Sequence, residues 1–454
     1  MADLLPRLPR VEALIGCRLG EIDAAVVDRI VAMCTREDTD LDFKREVYAQ
    51  TEKGHRDAAS DVAAMANGPG GAIFLGIRDH DAAAVEVTPV EFSEATELRL
   101  GQAIISQTAP KPDFKIHRIP SAADPTHGVY LIVVPPSAYA PHAARLNDRL
   151  GYPKRAGIHT RWLAESEVAD AYRARFLSGE QRAERLNVVL NAGQTTLGDG
   201  VWLSMALVPV VAGSFAISHP SMRQELSNAS QRWYGQGFAS HVFTTSPQCE
   251  AALGRVVLCT GHWNGHRTST SGHAEMHKDG SVFVATIVGG HLQRGLALGM
   301  QPTTWSVDDE MLVEQAIAAV SLAVEFASER AGATGDAYIS ASIVTVGAPA
   351  DVELIHVRQG PPMQFSGSHR VSGVEHSTVL ISLDDAATAQ GRLVIARLAL
   401  MGIFQWFGYP EVPQINDAGK LRRPYFGHQH RPAVERWAAA NGVEIVDTTV
   451  EVEP

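Results

Sequence analysis

The stretch MANGPGGAIFLGIRDH, residues 65–80, joins the end of an alanine-rich segment to an apolar run through Gly68-Pro69-Gly70-Gly71. Glycine clusters bind phosphate when they lead from a strand into a helix, because the helix N-terminus and a following Lys-Ser or Lys-Thr hold the phosphates. Here the order is reversed: helix, glycines, strand, and no Lys-Ser or Lys-Thr follows. The dinucleotide pattern GxGxxG also opens a helix. Both phosphate-loop readings therefore fail on order, and a helix-to-strand turn remains. Gly70 and Gly71 supply backbone angles that a side chain forbids, and the strand AIFLGI is expected to carry Asp79 out at its end, beside the strand that holds Asp42.

Working outward, residues 56–66 place Ala59, Val62, Ala63 and Ala66 on one helical face, and Asn67-Gly68 stops that helix with a pair tolerant of positive φ. Residues 21–34 form an earlier amphipathic helix through Ile22, Val26, Ile30 and Met33. Between the two helices, TREDTDLDFKREVY reads as a polar turn entering a strand. In a strand Asp42 and Lys44 share one face, and Leu41 and Phe43 the other. Downstream come a helix over 92–108, strands near 114–119 and 128–134, and a basic, aromatic loop. That loop leads into the helix LAESEVADAYRARF, whose Glu165 and Glu167 favour its first turn. A boundary near 178–185 divides the chain into an N-terminal part, 1–180, and a C-terminal part, 181–454. The second part offers strands at VWLSMALVPVV and SVFVATIVGG, a hairpin turn at Lys278-Asp279-Gly280, and long helices over 309–331 and 384–407. The fold class is α+β, with a mixed α/β domain in each part.

A chain of 454 residues exceeds what one core usually organises, which agrees with at least two domains. The composition, 45% hydrophobic and 20% charged, is that of a globular protein. A net charge of −12 excludes a histone-like protein and leaves nucleic-acid binding to a local patch. Cys17, Cys34, Cys249 and Cys259 show no CxxC spacing, so neither a zinc ribbon nor a disulfide framework is expected. The N-terminus lacks a secretory pattern, and the apolar run from Leu393 is too short to span a bilayer and carries Arg397. A cytoplasmic location without membrane contact is expected.

An acid and a lysine two positions apart on one strand face suit a divalent cation held beside a phosphate-contacting ammonium; the same pattern also serves as a plain solvated strand edge. The wider constellation is more telling: Glu37, then Asp42-Phe43-Lys44, an alanine-rich helix ending Ala66-Asn67, Gly70-Gly71, the strand to Gly76, and Asp79. With VVPPSAYAPH and GYPKRAGIHTRWLAESEVADAY downstream, it resembles the Schlafen AlbA-type domain over roughly residues 10–178. The resemblance implies a mixed α/β domain that binds nucleic acid, RNA or DNA. In some family members three acids hold a metal and cut structured RNA such as tRNA. Those acids fall on Glu37, Asp42 and Asp79, which with Mg²⁺ or Mn²⁺ and Lys44 on the scissile phosphate would form the catalytic set. One position departs: Asp42 stands where the family usually has glutamate, a side chain shorter by about 1.5 Å of reach.

Residues 142–162 concentrate Arg145, Arg149, Lys154, Arg155 and Arg161 with Tyr152 and Trp162, a pattern that suits phosphates and unpaired bases; the alternative is a solvated loop paired with nearby carboxylates. GKLRRPYFGHQHR, from Gly419, extends that surface or contacts another subunit of a homo-oligomer. HWNGHRTSTSGHAEMH places His273, Glu275 and His277 on one strand face, as a metal site or as the polar face of a hairpin; His262 and His266 precede them. Three functions stand at this point: a nucleic-acid-binding protein with metal-dependent endoribonuclease activity, a non-catalytic DNA-binding regulator, and a sensor of nucleotides or small molecules through residues 181–454.

Overall fold

The computed structural model describes residues 5–449, apart from residues 7, 148, 235–237, 239–241, 244–245, 261–270, 292–303, 348–350, 357–362, 365–370, 373–376 and 429. The chain divides into two compact units, Met1–Arg182 and Ala183–Pro454.

Unit 1 begins with two short helices, α1 (Pro9–Ile15) and α2 (Ala24–Ala32), the second capped by the Asp23 carboxylate on the Val26 N–H. Strand β1 (Leu41–Lys44) leads to α3 (Glu52–Ala66), which starts where Thr51 Oγ1 accepts the Gly54 N–H at 3.1 Å. Strand β2 (Gly71–Leu75) then returns parallel to β1, with Asp42 opposite Ile73. Parallel strands need such a crossover helix, and the glycine turn closes it.

Gly70 sits at φ +81, and a Cβ there would lie 2.6 Å from the Val134 carbonyl oxygen. At Gly71 a Cβ would press on the Met65 sulfur. Gly70 demands glycine by its backbone angle, as the sequence pattern indicated; Gly71 has no positive φ, which corrects that expectation, and demands glycine through lack of space. Asn67, in contrast, has an ordinary φ of −79; its role lies in its side chain, described below.

At Gly76, φ +111, the chain leaves the sheet, so Ile77 onward forms a separate hairpin of β3 (Ile77–His80) and β4 (Ala83–Val87). This corrects the expected placement of Asp79 at the end of a buried strand: the residue is exposed, opposite Ala84.

After β5 (Val90–Glu91) comes α4 (Glu94–Gln107), capped by Ser93. The next strands are β6 (Thr108–Ala109), β7 (Lys115–Pro120) and β8 (His127–Val134). Strand β8 pairs antiparallel with β2, β5 and β7, completing a five-stranded sheet. Strand alternation sorts its two faces. Leu41, Phe43, Ala72, Phe74 and Leu131 pack with α1 and α2, whereas Ile73, Leu75, Tyr130 and Ile132 pack with α3 and α4. Asp42 and Lys44 therefore face the α3 side. Two hairpins follow, β9 (Ala143–Leu146) with β10 (Arg149–Gly151), and β11 (Pro153–Ala156) with β12 (His159–Trp162). Helix α5 (Glu165–Gln194) begins directly after them.

Unit 2 opens with β13 (Gly200–Val211), α6 (His219–Tyr234), β14 (Gln248–Ala252), β15 (Arg255–Cys259), β16 (Gly272–His277) and β17 (Val282–Ile287). Next come β18 (Gly289–His291), β19 (Trp305–Asp308), α7 (Asp309–Glu325), β20 (Thr334–Val346) and β21 (Asp351–His356). Strands β22 (Met363–Gln364), β23 (Val371–Ser372) and β24 (Ser377–Ser382) precede α8 (Ala389–Trp406). A seven-stranded antiparallel sheet runs β14-β15-β16-β17-β13-β20-β24, with a smaller sheet of β18, β19, β21, β22 and β23 beside it. Lys278-Asp279-Gly280 makes the expected turn between β16 and β17. The stretch Asp309–Arg330 is long and apolar enough to cross a membrane, yet 72% of its most apolar window is buried within the protein. It is a core helix, packed through Leu312, Ile317 and Val320.

Candidate acidic centre and nucleic-acid interface

Asp42 is almost fully buried at 2% exposure, and every group around it can be traced. On its own strand face, the Lys44 ammonium pairs with Oδ2 and also reaches Asp61 of α3 at 3.8 Å. Arg155, from β11, brings a terminal nitrogen to 3.2 Å from Oδ1 and donates to the backbone oxygens of Asp38 and Leu41. Asp61 in turn accepts the Tyr48 hydroxyl at 2.8 Å. Glu37 approaches from the segment before β1: its Oε1 accepts the Phe43 N–H at 2.8 Å, and a side-chain hydrogen bond links it to Asp42.

Burial pushes the Glu37 carboxyl up to about 7; the Asp42 charge adds to that, while the Phe43 N–H and Lys44 oppose it. Burial pulls the Lys44 ammonium down, but Asp42 and Asp61 outweigh it and the net direction is upward. Burial likewise raises the Asp61 carboxyl, against Lys44. With Glu37 protonated, the carboxylates of Asp42 and Asp61 face the cations Lys44 and Arg155, and the centre is charge-balanced. Burial of ionic groups demands that kind of pairing.

Of the acids expected to converge, Glu37 and Asp42 meet, and Asp79 does not join them: it makes no side-chain hydrogen bond or ion pair with a described residue. Among the described residues no three His, Cys, Asp or Glu side chains are arranged to hold a metal ion. Both oxygens of Asp42 already face cations, and a divalent ion would have to displace one of them. The donor set does not fit Mg²⁺ or Mn²⁺.

Asn67, at the end of α3, explains how the downstream loop is held. Its Oδ1 accepts the His142 N–H at 2.6 Å, and its Nδ2 donates to the carbonyls of His142 and Pro153, each at 2.8 Å. One side chain thus fixes both ends of the β9–β10 hairpin and aims β11 so that Arg155 reaches Asp42. Residues 37–164 match the family model Schlafen, AlbA_2. The Schlafen AlbA_2 match spans the acidic centre, the glycine turn, Asn67 and both hairpins, and stops short of α5. It points to a nucleic-acid-related function for this part of the chain. No curated protein matches the chain. Among solved structures, the DIP2311 protein from Corynebacterium diphtheriae is similar at 19% identity and a TM-score of 0.24, over 50% of this chain and 36% of that one. The chain thus spans about a third of that relative's length.

The basic stretch of the AlbA_2 region splits into two groups. Arg145 and Arg149 are exposed on the β9–β10 hairpin and form no ion pair with a described residue. Lys154 is half-buried, Trp162 is 41% exposed, and Tyr152 is held by an edge-on contact and a 3.2 Å hydroxyl bond with Tyr172. Two residues depart from the expected role. Arg155 is buried in the acidic centre, and Arg161 makes a two-pronged pair with Glu167 at 2.8 and 2.7 Å. The later basic stretch is also engaged: Lys420 pairs with Glu444, Arg422 with Glu411, and Arg423 with Glu435 and Asp447.

In unit 2, His273, Glu275 and His277 do share a strand face, but a buried one. Glu275 is fully buried, with His273 at 3.2 Å, His277 at 3.6 Å and Arg255 at 2.9 Å. Burial alone would raise its carboxyl, yet hydrogen bonds from the two histidines and the nearby charges hold it at about 2. This is an internal ion network rather than a solvated hairpin face. His262 and His266 lie outside the described residues.

Proposed function

We propose that the protein binds nucleic acid through its AlbA_2 region, using the β9–β12 hairpins as the contact surface. The observation that carries this reading is the pair of exposed arginines of the β9–β10 hairpin, Arg145 and Arg149, the second lining one cavity with the exposed Trp162, within a region whose family is nucleic-acid-related. Unpaired cations attract phosphates, and exposed aromatic rings stack on bases. Arg155 and Lys44 support the fold of that surface by neutralising Asp42. Binding of fluorescein-labelled single strands, duplexes and tRNA, followed by anisotropy, tests the reading; failure to bind any of them overturns it.

One feature favours a second reading, endoribonuclease activity. Glu37, held to about 7, has the acidity of a general acid or base at neutral pH, and Lys44 pairs with the neighbouring Asp42. Because the acids do not fit a divalent ion, any cleavage of tRNA is expected to persist in EDTA, to be lost in Glu37→Gln and to be unchanged in Asp79→Ala. Cleavage that needs Mg²⁺ or Mn²⁺ and is lost in Asp79→Ala would instead restore the three-acid arrangement.

A further inference from the structure

Between the β9–β10 hairpin and the first turns of α5 lies a cavity of about 800 Å³, lined by Leu146, Arg149, Gly151, Tyr152, Trp162 and Val168. That size falls in the roughly 300–1,000 Å³ range of small-molecule sites. Its construction depends on Gly151. A Cβ there would lie 2.7 Å from both Leu146 Cδ1 and Trp162 Cε3, so only glycine lets the indole lie down against the strand. The lining is steadied by Tyr152, whose ring and hydroxyl are both held by Tyr172. The charged groups in its lining are of opposite sign: Arg149, without an ion-pair partner among the described residues, and Glu165; Asn147 adds a neutral polar group.

We propose that this cavity receives one unpaired base of a nucleic-acid strand, stacked on Trp162, with Arg149 on its phosphate. This rests on the nucleic-acid reading above and deepens it. The indole and the apolar walls suit the two faces of a base and no other part of a nucleotide. Glu165 repels phosphate, which places the phosphate on the Arg149 side and leaves the carboxylate to accept a hydrogen bond from the base edge. A strand rather than a free nucleotide follows from the nucleic-acid reading on which the assignment rests. A paired base cannot enter, because its faces are covered by the stack and its edge by its partner. The site therefore selects single strands, loops and bulges over uninterrupted duplex.

The test is anisotropy with a labelled ten-nucleotide single strand and a blunt duplex of the same sequence, using the full chain. Stacking on an aromatic side chain is worth about 1–3 kcal/mol per base, so Trp162→Ala should weaken single-strand binding by roughly 5- to 150-fold. Gly151→Ala, which displaces the indole, should weaken it in the same direction, and Trp162→Phe should restore most of it. Duplex binding should change less than twofold in all three. Circular dichroism of each variant guards against misfolding, and Trp162→Phe keeps the test decisive if Trp162→Ala does not fold. If the wild type binds single strands and all variants bind as tightly, the pocket assignment is overturned while the nucleic-acid reading stands. If the wild type binds neither strand nor duplex, both fall. Displacement of the labelled single strand by free mononucleotide at equal concentration of bases overturns the preference for a strand and with it the assignment as written.

Discussion

Arg149 and Arg155 lie six positions apart in one basic run, yet their surroundings give them opposite consequences. Arg155 is buried against Asp42; removing its guanidinium leaves a desolvated carboxylate with only Lys44 to balance it. Breaking a buried pair from one side costs about 3–5 kcal/mol, so Arg155→Ala should lower the melting temperature of the protein markedly. Arg149→Ala touches no buried partner and should stay within about 0.5 kcal/mol of wild type, while weakening strand binding. Equal melting temperatures for the two variants would mean that the Asp42 pair contributes nothing. Glu37 gives a second prediction at this scale, with a definite sign. Its folded-state pKa of about 7 lies above its ordinary value of 4.5. The stability it contributes is therefore complete below about 4.5 and is lost as pH rises through 7. Glu37→Gln keeps both hydrogen bonds without the proton. Melting temperatures between pH 5 and pH 8 should fall less in that variant than in wild type, and parallel curves would show that Glu37 does not titrate there.

Elements show where sequence periodicity suffices and where it fails. The helix-glycine-strand order around residues 65–80 is legible because Gly70 and Gly71 are required by local geometry. Gly70→Ala combines a φ of +81 with a Cβ 2.6 Å from a carbonyl oxygen. Overpacking alone costs about 1–3 kcal/mol, so loss of at least that much is expected in denaturant melts; a neutral effect would mean the turn relaxes. The alternation of Asp42 and Lys44 against Leu41 and Phe43 is legible for the same local reason. What the sequence does not reveal is which distant residue completes a site. Asp61 looks like a solvent position on an amphipathic helix, and Arg155 like one more surface cation; only the register of β11 against the end of α3, set by Asn67, brings Arg155 to Asp42. Asp79 was displaced from its expected place by Gly76, whose positive φ turns the chain out of the sheet. A glycine inside an apolar run reads equally well as strand interior, so the pattern carries no warning. In unit 2 the alternation of His273, Glu275 and His277 was visible, but not that their face is the buried one.

Across the whole molecule, a net charge of −12 means that nucleic acid is repelled by most of the surface and must be gathered locally. This sets a quantitative expectation for salt. Single-strand affinity falls with a slope of about −0.7 per phosphate neutralised on a log–log plot. Arg145, Arg149 and the half-buried Lys154 are the cations of the hairpins left to face a strand, since Arg155 and Arg161 are committed to Asp42 and Glu167. Three contacts give a slope of roughly −2, shallow for a nucleic-acid-binding protein, and Arg149→Ala should reduce it by about 0.7. A slope near zero in the wild type would remove phosphate contact from the account. A slope far steeper than −2 would mean that cations outside the hairpins share the load. A shallow slope also makes the stacking contribution at Trp162 a larger share of the total free energy. The loss in Trp162→Ala should therefore be nearly independent of salt, while the loss in Arg149→Ala should shrink as salt rises, and measuring both variants across the same salt series separates the ring from the charge.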